Sequence, residues 1–165
     1  MREEQISVYF PEAVLHNEVF EIPHGKYEKG RVYKKTGIRT RHISRKGELI
    51  SDMAANSAQD LVERYGQEMD FLLLCTETPD YQLPPTSCRV QEKLKLPISV
   101  GALDVNLGCS GFIYSLAIAK GMLSSSISRG LLLIMAEAYS KHIHPEDYST
   151  RTIFWRCCSV CFFAE

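Results

Sequence analysis

The sequence predicts an α/β fold with a mixed, mostly parallel sheet and covering helices, forming one domain or part of one. Three observations predict it. Short apolar runs alternate with helical stretches from Ser51 onward. The runs Phe71 to Cys75 and Leu131 to Ala136 are continuously apolar, as strands buried on both faces must be. Polar or glycine-bearing turns follow each run, where an α/β sheet places its ligands.

The elements follow in order. Ile6 to Phe10 alternates like a strand and Pro11 breaks it. His24 to Arg45 is rich in Lys and Arg, and the first 50 residues, short apolar pieces mixed with charge, read as surface loops. Ser51 is the expected cap of a helix whose apolar positions, Ala54, Ala58, Leu61, Val62 and Tyr65, share one face, with Gly66 near its end. Phe71 to Cys75 is a buried strand, and Thr76 to Pro85 is a polar, proline-punctuated loop. A second helix begins near Pro85, where a missing N–H costs nothing, and carries Val90 and Leu94 on one face. Val100 to Val105 is the next strand, Ser110 to about Ser126 the next helix, and Leu131 to Ala136 another strand. The order β, α, β, α, β implies right-handed crossovers between parallel strands. Ligands are then expected near Thr76 to Asp80, Asn106 to Cys109 and Glu137 to His144.

Composition excludes several classes. In 165 residues, 45% are hydrophobic and the net charge is -1, enough for one ordinary core. Lys and Arg number 19 against 20 Asp and Glu, so no basic field exists for nucleic acid or an anionic bilayer. No apolar run approaches the roughly 20 residues of a membrane span, and MREEQISVYF lacks a signal-peptide stretch. A cytoplasmic location is expected, with no nucleic-acid or membrane partner.

Asp104 to Phe112 runs from a strand through a glycine-bearing turn into a helix, and puts the Cys109 thiol at the helix N-terminus. Unpaired N–H groups and the helix dipole there favour thiolate, the nucleophilic form. The small neighbours Gly108, Ser110 and Gly111 let a substrate carbonyl approach the backbone, so the Cys109 N–H can serve as an oxyanion donor. The same pattern also suits a structural cysteine in a half-buried turn. Cys75 reads as strand core and Cys88 as helix core, while His142 and His144 read as surface residues beside Pro145. Glu137, at a strand end, reads as supporting structure. A cysteine hydrolase would need one of those histidines beside Cys109.

Cys-Ser-Gly-Phe-Ile-Tyr-Ser-Leu-Ala-Ile-Ala at 109 to 119 resembles the active-site segment of the β-ketoacyl-acyl-carrier-protein synthase III family, condensing enzymes of the thiolase superfamily. Thr36-Gly37-Ile38-Arg39 with Arg41-His42-Ile43 is similar to the family's early loop. Thr78-Pro79-Asp80, Pro84 and Val90-Gln91 are similar to the strand, loop and helix before its nucleophile. The resemblance covers about residues 5 to 154. It implies a thiolase-like N-terminal half-fold, with the nucleophile at the N-terminus of a buried helix, and a homodimer. The implied reaction is ping-pong: Cys109 takes an acyl group from an acyl-CoA or acyl-carrier-protein thioester and passes it to decarboxylating malonyl-acyl-carrier-protein. No cofactor or metal is implied.

The resemblance also implies binding residues. Arg31 and Tyr148 stand where coenzyme A users of the family carry a Trp and an Arg that grip adenine, and a reversed pair can still stack on a base. Arg39 belongs to the matched loop. Leu83 matches a bulky pocket residue contributed across the dimer.

Residues 1–154 form the expected condensing domain, truncated because the family's catalytic His and Asn lie in its second half; full turnover by this chain alone is not expected. Residues 155–165 depart from the family where Gly-Asp-Gly-Ala should follow Phe154. Reading one base later in one codon choice gives Gly-Asp-Ala-Ala-Val-Cys-Ala-Ser-Leu, which points to a frameshift. The competing reading is a Cys-x-x-Cys metal or redox element from Cys158 and Cys161. Another class altogether would be a non-catalytic truncated product or interaction module.

Overall fold

The computed structural model describes residues 5–22 and 25–154 and the backbone of 157–164. Trp155, Arg156, the N-terminal MREE and the side chains of 157–164 lie outside the described residues, and so do the frameshift and the Cys158 and Cys161 readings. The chain divides into two compact units: Met1–Tyr9, Glu48–Glu137 and Cys158–Glu165 form the first, and Phe10–Gly47 with Ala138–Cys157 the second.

The first unit holds a five-stranded sheet. Its strands are β1 (Gln5–Tyr9), β4 (Phe71–Cys75), β5 (Gly101–Val105), β6 (Gly130–Glu137) and β7 (Cys157–Ala164), in the order β1-β7-β6-β4-β5. β4 pairs in parallel with β5 on one side and β6 on the other, while β7 pairs antiparallel with β1. The expected β, α, β, α, β order is therefore present. Leu72, Leu73 and Leu74 are fully buried, as are Leu131 to Ile134, which is why both strands read as unbroken apolar runs.

The connection β4 to β5 runs one way along the sheet and β5 to β6 runs back across β4. Right-handed crossovers then put α3 (Thr86–Lys93) and α4 (Gly111–Ser124) on opposite faces. α2 (Ile50–Tyr65) packs against α3, β1 and β6. Its buried positions include Ala54, Ala58 and Leu61, as the helical spacing requires. On the other face, α4 lays Ala119 and Leu123 on Leu73, Leu131 and Leu133, with Leu116, Met122 and Met135 around them.

Four expectations are corrected here. Ser51 does not cap α2; it lies inside the helix and is buried. The first turn is held by carboxylates instead: Leu49 N–H donates to Asp52 Oδ2 (2.9 Å), and Ile50 N–H donates to Asp80 Oδ1 (2.7 Å) from the loop after β4. A long-range cap of this kind has no local sequence signature. Cys88 is half-buried rather than core.

The helix expected to be buried is buried on one face only: Gly111, Ser115, Ala119 and Leu123 face inward, and Phe112, Ile113 and Tyr114 are exposed. A helix apolar on all sides matches a helix buried all round, and this chain supplies the cover for one side.

The fourth correction concerns the first 50 residues, read as surface loops, which supply most of the second unit. It contains β2 (Ala13–His16) paired antiparallel with β3 (Thr40–Ile43), α1 (Arg31–Thr36) and α5 (Tyr148–Arg151). Gly30 and Gly37, with φ of 79° and 71°, start and stop α1 in the left-handed region where a side chain would be strained. The basic residues that suggested surface include Arg41, which is buried. It donates to Asn17 Oδ1 (2.7 Å) and Thr152 O (3.0 Å) and lies over the Phe20 ring.

Candidate active site

Three parallel strands deliver the site. At the end of β4, Thr76 N–H donates to Val105 O (3.1 Å), extending the β4 and β5 pairing by one residue. Thr78 N–H then donates to Thr76 Oγ1 (3.0 Å), which turns the chain. Glu137, the last residue of β6, accepts the Glu77 N–H (3.0 Å) and the Thr78 hydroxyl, so the loop after β4 is pinned from its neighbour. Glu137 thus has the supporting role expected of it.

After β5, Leu107 N–H donates to Val105 O (3.1 Å) and Gly111 N–H to Gly108 O (2.7 Å), closing a tight turn. Cys109 sits on this turn and is exposed. α4 begins at Gly111 with Ser110 as its N-cap, so Cys109 stands one residue outside the helix rather than on its first turn. Its N–H has no hydrogen-bond partner among the described residues.

Two contacts explain the glycines. A Cβ on residue 111 would fall 2.4 Å from Cys75 Sγ, and one on residue 108 would fall 2.2 Å from Cδ and Oε1 of Glu77. Cys75 is buried beneath the turn and donates its thiol hydrogen to Leu107 O (3.2 Å). Burial pushes the Cys75 thiol above its ordinary pKa, and the Glu137 and Glu77 carboxylates add to the rise. Cys75 is therefore core, as expected, and a poor nucleophile. Glu77 was not singled out in the sequence; the only signal was a carboxylate inside the polar loop that ends a buried strand.

The remaining expected site residues are spread over both units. Leu83, in the loop before α3, is 82% exposed. In the second unit, Arg31 lines a depression of about 260 Å3 with Tyr27, Lys35, Thr36 and Ser149. The Tyr148 ring is edge-on to Phe20, with centroids 6.3 Å apart, and does not line that depression. Arg39 lies over the Tyr33 ring, with 4.7 Å to its centroid. His142 and His144 are exposed, as expected. Among the described residues no three His, Cys, Asp or Glu side chains are grouped to hold a metal, and no helix is long and apolar enough to cross a membrane.

Comparison with known proteins gives one consistent result. The family profile described as 3-oxoacyl-[acyl-carrier-protein] synthase III matches residues 103–160. The chain is 34% identical over 163 residues to β-ketoacyl-[acyl-carrier-protein] synthase III 1 of Deinococcus radiodurans, covering 97% of this chain and 47% of that protein. It is 37% identical over 150 residues to synthase III 2 of Halalkalibacterium halodurans, covering 89% and 44%. A 2.1 Å crystal structure of 3-oxoacyl-(acyl-carrier-protein) synthase III superimposes with a TM-score of 0.92 at 39% identity, covering 98% of this chain and 49% of that one. The Aquifex aeolicus synthase III superimposes with a TM-score of 0.89 at 32% identity, covering 97% and 52%. The chain spans about half the length of the relatives it matches. Half-length alignment, shared thiolase-like fold and the matched segment around Cys109 together show that the chain is similar to the N-terminal half of β-ketoacyl-acyl-carrier-protein synthase III family members.

Proposed function

We propose that this chain is the nucleophile-bearing half of a condensing acyltransferase of fatty acid or related biosynthesis. Cys109 accepts an acyl group from an acyl-CoA or acyl-carrier-protein thioester, and its free N–H is one donor to the oxyanion formed on the way. The single observation that carries this reading is the exposed Cys109 on a glycine turn at the C-terminal end of a parallel strand. The matched relatives are named as synthases acting with acyl-carrier protein.

Decarboxylative condensation with malonyl-acyl-carrier-protein is assigned to the assembled enzyme, with the His and Asn that the family carries in its second half. Homodimerisation belongs to the same proposal, with the exposed Leu83 reaching a neighbouring subunit's acyl pocket. Arg31, Arg39 and Tyr148 are proposed as binding residues for the donor.

The test is acylation followed by peptide mapping. Incubation with acetyl-CoA, longer acyl-CoA and acyl-carrier protein should leave an adduct on Cys109 that the Cys109→Ser variant lacks. Adducts spread equally over Cys75, Cys88 and Cys109 would overturn the assignment.

A further inference from the structure

We propose that a depression in the second unit is a binding site for a small zwitterion of the amino-acid class. Glu21 and Glu18 would hold the ligand's ammonium, and Lys29 and Arg39 its carboxylate. The depression has a volume of about 350 Å3 and is lined by these four side chains together with His16 and Tyr33. That volume lies at the small end of the usual range for small-molecule sites, roughly 300–1,000 Å3. α1 gives Arg31, Val32, Lys35 and Thr36 to the depression described above, whereas its N-cap Gly30 and Tyr33 line this one. The two are therefore separate places on the same helix.

The observation that points to a ligand is Glu21. It lines the depression yet is only 5% exposed, and its Oε1 has no hydrogen-bond partner. A buried carboxylate without a donor is costly, and a bound cation removes that cost. The backbone holds Glu21 where it is: its N–H donates to Glu18 O (3.2 Å) and its carbonyl accepts from Gly25 N–H (2.8 Å). The segment cannot relieve the carboxylate by turning outward without breaking both bonds.

The surroundings select the cation and its counter-charge. Among the described residues no three His, Cys, Asp or Glu side chains are grouped to hold a metal, so the donors must be N–H groups of an ammonium. Glu18, Lys29 and Arg39 are exposed around the buried Glu21, and none of the four is ion-paired with another. Arg39 lies over the Tyr33 ring and donates from Nη2 to Tyr33 Oη (3.3 Å), so its planar fork is held in place for a carboxylate. Two anionic and two cationic groups around one small depression fit a ligand that carries both charges.

The experiment measures thermal unfolding of the full chain with a mixture of the common amino acids, with their N-acetyl derivatives and with their amides, each at about 5 mM. The native chain should gain roughly 3–6 °C in Tm from the amino acids, the shift for a ligand at ten times its Kd. N-acetylation, which removes the ammonium, should abolish the gain, and so should Glu21→Gln. Lys29→Gln changes an exposed residue and should at least halve the difference between amino acids and amides. No gain for the native chain with any of the three mixtures overturns the site. An equal gain from the N-acetyl derivatives, or an undiminished gain in Glu21→Gln, overturns the ammonium assignment and the proposal with it. An unchanged preference over amides in Lys29→Gln overturns the carboxylate half.

Discussion

Cys75 and Gly111 exclude each other's enlargement: the thiol at the end of β4 occupies the space a Cβ at the start of α4 would need, 2.4 Å away. Because Cys75 is buried and bonded to Leu107 O, it cannot swing clear. Gly111→Ala should therefore destabilise the chain by about 1–3 kcal/mol, the usual cost of overpacking. Urea unfolding will show it as a lower midpoint. Adding Cys75→Ala should recover part of the loss, because the two sites share one space.

Asp104 links β5 to the helix before it. Its two carboxylate oxygens each accept one N–H, from Thr86 and Ser87, both at 2.7 Å. No side chain within α3 caps that end. Asp104→Ala should cost about 1–2 kcal/mol, the range for losing a helix cap. The loss should appear in thermal unfolding, with amide exchange rising first at Thr86 and Ser87.

Asp70 makes stability depend on acid. Partial burial raises its pKa, but the Ser128 hydroxyl and the Arg129 and Gly130 N–H groups outweigh burial and hold the carboxyl below its ordinary value. A carboxylate depressed in the folded state contributes stability above its unfolded pKa, about 3.9, and loses it as pH falls through the folded value. Asp70→Asn should be less stable than the native chain at pH 7. The two should converge in urea titrations as pH falls through the folded value of Asp70.

Arg41 anchors the second unit. Burial lowers its pKa, yet its hydrogen bonds to Asn17 Oδ1 and Thr152 O satisfy the guanidinium. Arg41→Ala strands two buried acceptors and removes the contact with Phe20, at a cost of roughly 2–4 kcal/mol. Limited proteolysis should then cut Phe10–Gly47 sooner than Glu48–Glu137.

How far the sequence could be read depended on whether the determining contacts were local. β4 and β6 were legible because both faces are covered and nearly every residue is apolar. The turn at Cys109 was legible from its glycines, but its exact relation to α4 was not, since one residue decides whether a thiol stands on the helix or just before it. The Asp80 cap of α2, the Glu77 carboxyl on Gly108 and the buried Arg41 all join residues far apart in the chain. Residue type alone marks such groups as solvated charge, and only the fold gives them partners.

The parallel register of β4 and β5 has a consequence for variation in this chain. The turns that carry Glu77 and Cys109 leave neighbouring strands in the same direction, so their neighbourhood is set by the pairing of β4 with β5, whatever the length of the crossover between them. Insertions in the Leu94 to Val100 stretch, at the opposite end of the sheet, would lengthen the path without separating the pair. The site is in that sense indexed to the sheet and not to the chain, and circular permutation through that stretch should leave the two turns together.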